Sequence, residues 1–197
     1  YDGENITILN ATVGNLAAYS HPIVLENGAL EKRALAAKQM LTSCEGCAWM
    51  CKVDRTASIS GKCRTGTRAR VSSYGPHLGE EAPLRGWRGS GTIFFARCNL
   101  RCQYCQNYDI SQSDAGSEMD SGELAAIMLM LQRQGCHNIN IVSPSHVVPQ
   151  ILSALLLSLF IAGCDGSWNQ DDAGGRISLA GTLDARERDL GFQVNGR

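Results

Sequence analysis

Cys98, Cys102 and Cys105 follow directly on the run Thr92-Ile93-Phe94-Phe95-Ala96, and their C-x3-C-x2-C spacing sets three thiolates in one short loop. Thiolate sulfur is the ligand that iron–sulfur clusters take. Three thiolates cannot close the coordination of a four-iron cluster, so one iron stays open to bind and reduce another molecule. Structural zinc is the competing reading; it wants four ligands in closed tetrahedral geometry, and His146 or Cys136 could supply the fourth. The spacing after a strand matches paired zinc knuckles poorly and favours iron–sulfur.

A second group, Cys44-x2-Cys47-x3-Cys51 followed by Cys63, offers four thiolates, enough for a closed site. Structural zinc and an auxiliary iron–sulfur cluster both fit it, and spacing alone does not choose between them. Seven of the nine cysteines fall into these two groups, which speaks for metal rather than disulfides and for a reducing compartment, the cytoplasm. The sequons at Asn5 and Asn10 point the other way and carry little weight. Cys136 and Cys164 stand alone and read as small buried hydrophobes.

The elements that must position these groups can be read from pattern. A helix is expected from Asn27-Gly28 onward, with Leu30, Ala34, Leu35 and Leu41 on one side. Residues 52–91 are basic and Gly-rich and read as loop and short strand. Thr92 to Ala96 is a strand introduced by the turn Gly89-Ser90-Gly91, and a polar loop runs from Asn99 to about Asp120. Asp120 and Glu123 make a capping pair for a helix carrying Leu124, Ile127, Met128 and Leu131, which Gly135 ends. Asn138 to Val142 is a second strand; Ser143-Pro144-Ser145-His146 leads from it into a second helix with Pro149 in its first turn. This is an α/β chain with a βαβα unit, which implies parallel strands and a right-handed crossover. Chemistry in such folds sits in the loops after the strands, where both the cysteine loop and residues 143–146 fall.

Composition limits what else the chain does. A net charge of −1 gives no global attraction for nucleic acid, and the arginines and lysines between residues 52 and 88 lack interleaved aromatics. The most apolar stretch, Val147 to Ala162, falls short of the roughly 20 residues of a membrane span, so a buried helix is expected and no membrane partner. Glu80 and Glu81 read as a solvated acidic pair. Met119, Met128 and Met130 read as core, and His77 and His137 have no identifiable partner.

The segment from Phe94 to Asn107, with Tyr104 as the aromatic residue before the third cysteine, resembles the cluster loop of the radical S-adenosylmethionine superfamily. Gly79-Glu80-Glu81, Gly89 to Phe95 and Ser143 to His146 are similar to its pyruvate formate-lyase activating enzyme-like branch. The resemblance covers about residues 28–157. It implies a [4Fe-4S] cluster on Cys98, Cys102 and Cys105, with S-adenosylmethionine chelated to the open iron. Reductive cleavage to a 5′-deoxyadenosyl radical and hydrogen abstraction from a substrate would follow, activation of a glycyl radical enzyme being one purpose. Tyr104 would lie near the adenine. The Gly-Gly-Glu-type motif that holds the methionine amino group is absent; Ser143, Ser145 and His146 occupy its place, where capping of the following helix is the alternative role. A substrate that could be a protein, and an electron donor such as flavodoxin or ferredoxin, are the implied partners.

Past Gly163 the pattern collapses into Gly, Asp and Arg, with a short strand at Ile177 to Leu179 at most. A closed β/α barrel takes about 200–250 residues. The expectation is therefore an incomplete radical S-adenosylmethionine barrel of two βα units. Residues 1–43 form an N-terminal helical segment, 44–91 a Cys-rich basic segment, 92–162 the βα units, and 163–197 a divergent, disordered tail. A frameshift, altered splice or mispredicted gene end near Ser158 would account for the change. The alternative function is a truncated, catalytically inactive protein binding iron–sulfur or zinc.

Overall fold

A computed structural model describes residues 28–136 and 138–164. The sequons, His137 and the tail beyond Cys164 lie outside the described residues. Two lone strand predictions become part of a mixed four-stranded sheet. Its strands are β1 (Ala69–His77), β2 (Ser90–Phe95), β3 (Ser117–Met119) and β4 (Ile139–Val142), in spatial order β3-β1-β2-β4. β2 and β4 run parallel with Phe94 opposite Val142, as the βαβα pattern requires. β1 is antiparallel to both β2 and β3.

The helices are α1 (Ala29–Gln39), α2 (Ala82–Arg85), α3 (Tyr108–Ser111), α4 (Ser121–Arg133) and α5 (Val148–Cys164). The N-terminus of α4 carries the expected capping box: the Asp120 carboxylate accepts from the Gly122 and Glu123 amides, and Glu123 accepts from the Asp120 amide. Gly135, at φ +81°, closes its far end. Pro149 sits in the first turn of α5, where no intrahelical N–H is needed.

Alternation along the strands decides which face is buried. Ile93, Phe95 and Ile139 point at the helices and join Leu124, Met128, Leu131 and Ile151 in one core. Met128 is fully buried there, with Met119 and Met130 packed on its margin and Cys136 within it. Gly91 allows the close approach of α4, since a Cβ would stand 3.1 Å from that of Leu131 and 2.9 Å from the Asn138 carbonyl. Among the described residues no helix is long and apolar enough to cross a membrane.

Three expectations need correction. Residues 52–91 contain the nine-residue strand β1, whose short alternation is disguised by Gly75, Pro76 and a register shift between Val71 and Ser73. The loop from Asn99 to Asp120 contains α3 and β3, and β3 forms the sheet edge. In α1, Leu30, Ala34, Ala37 and Leu41 of the following turn are buried, while Leu35 is exposed because it stands about 100° round the helix from Ala34.

Gly116 enters β3 at φ +80°, and a Cβ there would lie 1.9 Å from the Val71 carbonyl oxygen. Gly116→Ala should lower stability by at least about 1–3 kcal/mol. Gly75→Ala, with open space around it, should be near neutral. Urea unfolding of both variants checks the contrast; equal stabilities would refute the assigned β1–β3 edge.

Candidate metal centre

β2 ends at Phe95, and the chain turns out of the sheet through Ala96 and Arg97, the latter left-handed at φ +58°. Arg97 fixes this turn. Its Nε donates to Asp114 Oδ1 at 2.6 Å, and Nη1 donates to the Arg64 carbonyl at 2.6 Å and to Glu118 Oε1 at 3.3 Å. The Arg97 hydrogen bond, the largest influence on Asp114, holds that exposed carboxyl below its ordinary range. The Cys98 amide then donates to the Ser111 carbonyl at 2.7 Å, closing the cysteine loop onto α3.

Within the loop Cys98 is buried, Cys105 half-buried and Cys102 exposed. Cys105 Sγ lies 3.2 Å from Ser111 Oγ. Cys102 borders an open groove with Arg64, Arg101, Tyr108 and Gln112. Tyr104 is fully exposed. Ser143, at φ +62°, and Ser145 are half-buried in the turn after β4, on the same sheet edge as the cysteine loop.

His146 takes a different position from its serine neighbours. It is 2% exposed, and its Nε2 stands 2.9 Å from the Ala96 carbonyl oxygen. A carbonyl only accepts, so Nε2 carries the proton and Nδ1 is left as a lone-pair acceptor. Nδ1 is buried without a partner among the described residues. The ring borders the cavity lined by Cys44, Cys47, Cys51 and Cys63 rather than the groove at Cys102. Burial, the dominant influence, lowers its pKa to about 4.

The two cysteine groups are neighbours in space. Trp49 Nε1 donates to the Asn99 carbonyl at 2.7 Å, and Arg101 Nη2 donates to the Lys62 carbonyl at 3.2 Å. Arg97 reaches the Arg64 carbonyl, and Gln150 Nε2 on α5 donates to the Gly66 carbonyl at 2.9 Å. Sequence spacing gave no sign of this docking, because every acceptor is a main-chain carbonyl. Among the described residues no three cysteine, histidine or acidic side chains are already gathered about one point to hold a metal ion.

A third cluster lies on the sheet face away from the helices. Glu80 is half-buried, unlike a solvated pair: Asn140 Nδ2 donates to its Oε1 at 3.3 Å, and His77 Nδ1 stands 3.4 Å from the same oxygen. His77 also meets Phe94 edge to face, ring centroids 6.3 Å apart. Only Glu81 keeps the exposed position expected of both. The sequence concealed the pairing because Glu80 and Asn140 are 60 residues apart.

An uncharacterized protein of Methanocaldococcus jannaschii is 40% identical over 83 residues, which are 42% of this chain and 23% of that protein. The chain thus spans about a quarter of the length of the relative it matches. No family model matches, and no solved structure matches.

His146 provides a pH test. Its folded pKa of about 4 lies below the ordinary 6.5, so between these values the unfolded state binds more protons and stability rises with pH. Stability should fall as pH drops from about 6.5 to 4 and lose this dependence below. In His146→Gln that component should vanish, read as a flatter difference in urea midpoint between pH 7 and pH 4.5. Identical pH profiles would refute a neutral, buried imidazole.

Proposed function

We propose that this chain is a radical S-adenosylmethionine iron–sulfur protein of the activating-enzyme-like kind. The observation that supports this reading best is the position of the C-x3-C-x2-C loop: it leaves the carboxyl end of β2, beside the β4 loop, in a parallel pair. The donor set suits a [4Fe-4S] cluster in number and type, with one sulfur buried, one half-buried and one at the surface. Loading would turn these thiols toward a common centre. When bound, such a cluster supplies one electron for reductive cleavage of S-adenosylmethionine to methionine and a 5′-deoxyadenosyl radical.

The chain's own residues then have definable tasks. Cys98, Cys102 and Cys105 supply the three sulfur ligands, with Arg64 and Arg101 beside Cys102 in the groove. Ser111 Oγ can donate to the Cys105 thiolate, and Arg97 holds the loop on the sheet edge. Ser143 and Ser145 offer hydroxyl and main-chain groups to the amino-acid end of S-adenosylmethionine from the adjacent loop. Tyr104 is accessible to the adenine. Exposure of Cys102 leaves a route for an electron donor such as flavodoxin or ferredoxin, and a protein substrate of glycyl radical type is the partner this reading implies.

Anaerobic reconstitution with iron and sulfide, then dithionite and S-adenosylmethionine, tests the proposal. The wild type should gain iron–sulfur absorbance and release 5′-deoxyadenosine. Cys102→Ala should lose the product by at least about 100-fold, the upper end of what losing even an outer partner of a metal ligand costs. A wild type that holds the cluster yet releases no 5′-deoxyadenosine would overturn the catalytic reading.

A further inference from the structure

Residues 43–68 form neither helix nor strand. Their side chains bury little apolar surface: Cys44 and Cys63 are the buried hydrophobic residues of the segment, whereas Trp49, Met50 and Ile59 are exposed. The path is nevertheless specific. The Cys44 amide donates to the Val53 carbonyl, the Lys52 amide to the Cys44 carbonyl and the Met50 amide to the Cys47 carbonyl. Met50 and Lys52, on either side of Cys51, and Arg64, after Cys63, are left-handed at φ +42°, +54° and +48°. Each such non-glycine residue is strained and persists only where its surroundings hold it. Apolar burial does not supply that hold here.

The four thiols share one space without yet meeting at a point. Cys44, Cys47, Cys51 and Cys63 line one cavity, and two buried polar residues, Arg55 and His146, stand on its wall. Arg55 is 3% exposed; it donates to the Thr65 carbonyl at 2.6 Å and the Gly66 carbonyl at 3.1 Å, and its Nη1 faces Cys44 Sγ at 3.6 Å. None of these acceptors is a carboxylate, so the buried cation lacks a formal counter-charge while the thiols are protonated. His146 Nδ1, buried and unpartnered, borders the same space.

We propose that Cys44, Cys47, Cys51 and Cys63 bind a single Zn2+ as a closed tetrathiolate site, separate from the Cys98 loop, which staples residues 43–68 against that loop. Binding releases the four thiol protons to solvent and leaves a complex of charge −2, which compensates Arg55. The half-buried Cys47 and Cys51 are drawn onto the buried Cys44 and Cys63. Four thiolates complete the closed tetrahedral shell that a structural Zn2+ takes, with no position left open. Zinc then contributes folding free energy directly to a segment without a core of its own.

The test uses the full chain carrying Cys98→Ala, Cys102→Ala and Cys105→Ala together, so that failure of the radical reading leaves it unaffected. Elemental analysis should find one zinc per chain, and zinc K-edge absorption should show a sulfur-only shell at about 2.3 Å. Adding Cys44→Ser and Cys63→Ser should abolish the zinc. A chelator applied to the triple variant removes the metal without altering the chain, which separates loss of zinc from any local unfolding caused by the substitutions. Zinc removal should expose residues 43–68 to proteolysis while amide protection in α4 and α5 persists. Iron–sulfur absorbance in the triple variant, no metal in the folded triple variant, zinc retained after the serine substitutions, or unchanged proteolysis on chelation would each overturn the proposal.

Discussion

The parallel register of β2 and β4 is the constraint on which the rest of the molecule depends. Two strands running the same way need a crossover, and α4 supplies it, capped at Asp120 and stopped at Gly135. The crossover fixes which sheet face is dry: Ile93, Phe95 and Ile139 meet α4 and α5 there. It also fixes where the two loops emerge. Residues after Phe95 and after Val142 leave one edge together, and that is why the start of the cysteine loop and a Ser-Pro-Ser-His turn far along the chain become neighbours, His146 bonding Ala96 across 50 positions.

On that edge the loops are held by cations bonded to main-chain oxygens. Arg55, Arg97 and Arg101, with Gln150, donate to the carbonyls of Thr65, Gly66, Arg64 and Lys62. Carbonyl acceptors fix a loop's path without adding negative charge. Arg97 adds carboxylate partners to this pattern, bonding Asp114 and Glu118 as well as the Arg64 carbonyl. His146 belongs to the same arrangement, since its hydrogen bond to Ala96 ties the turn after β4 to the start of the cysteine loop.

Legibility followed range. The capping box, Gly135 and Pro149 are local devices, each read correctly from a few residues. The parallel pair was legible because two β-rich runs flank an amphipathic helix. β1 was legible only as a short strand somewhere in residues 52–91, since Gly75, Pro76 and a bulge break the alternation that would mark its full length. The partnership of Glu80 with Asn140 and the docking of Trp49 on Asn99 were invisible for a different reason. Both join residues at least 50 positions apart, and one of the two uses a carbonyl that every residue possesses.

The two faces of the sheet now carry opposite chemistry for one reason. Alternation sends Ile93 and Ile139 to the helices and sends Thr92, Phe94, Asn140 and Val142 to the other side. That second face is neither a solvated surface nor a second hydrophobic core. Thr92 is buried, Phe94 and Asn140 are half-buried, and Glu80 reaches over from the loop after β1 to accept from Asn140 with His77 beside it. An acid, an imidazole, an amide and an aromatic edge thus share a sheltered polar floor. It lies on the sheet whose carboxyl edge carries Cys98, Cys102 and Cys105, so sheet geometry brings the polar set and the thiolate loop onto one framework although their sequences have nothing in common.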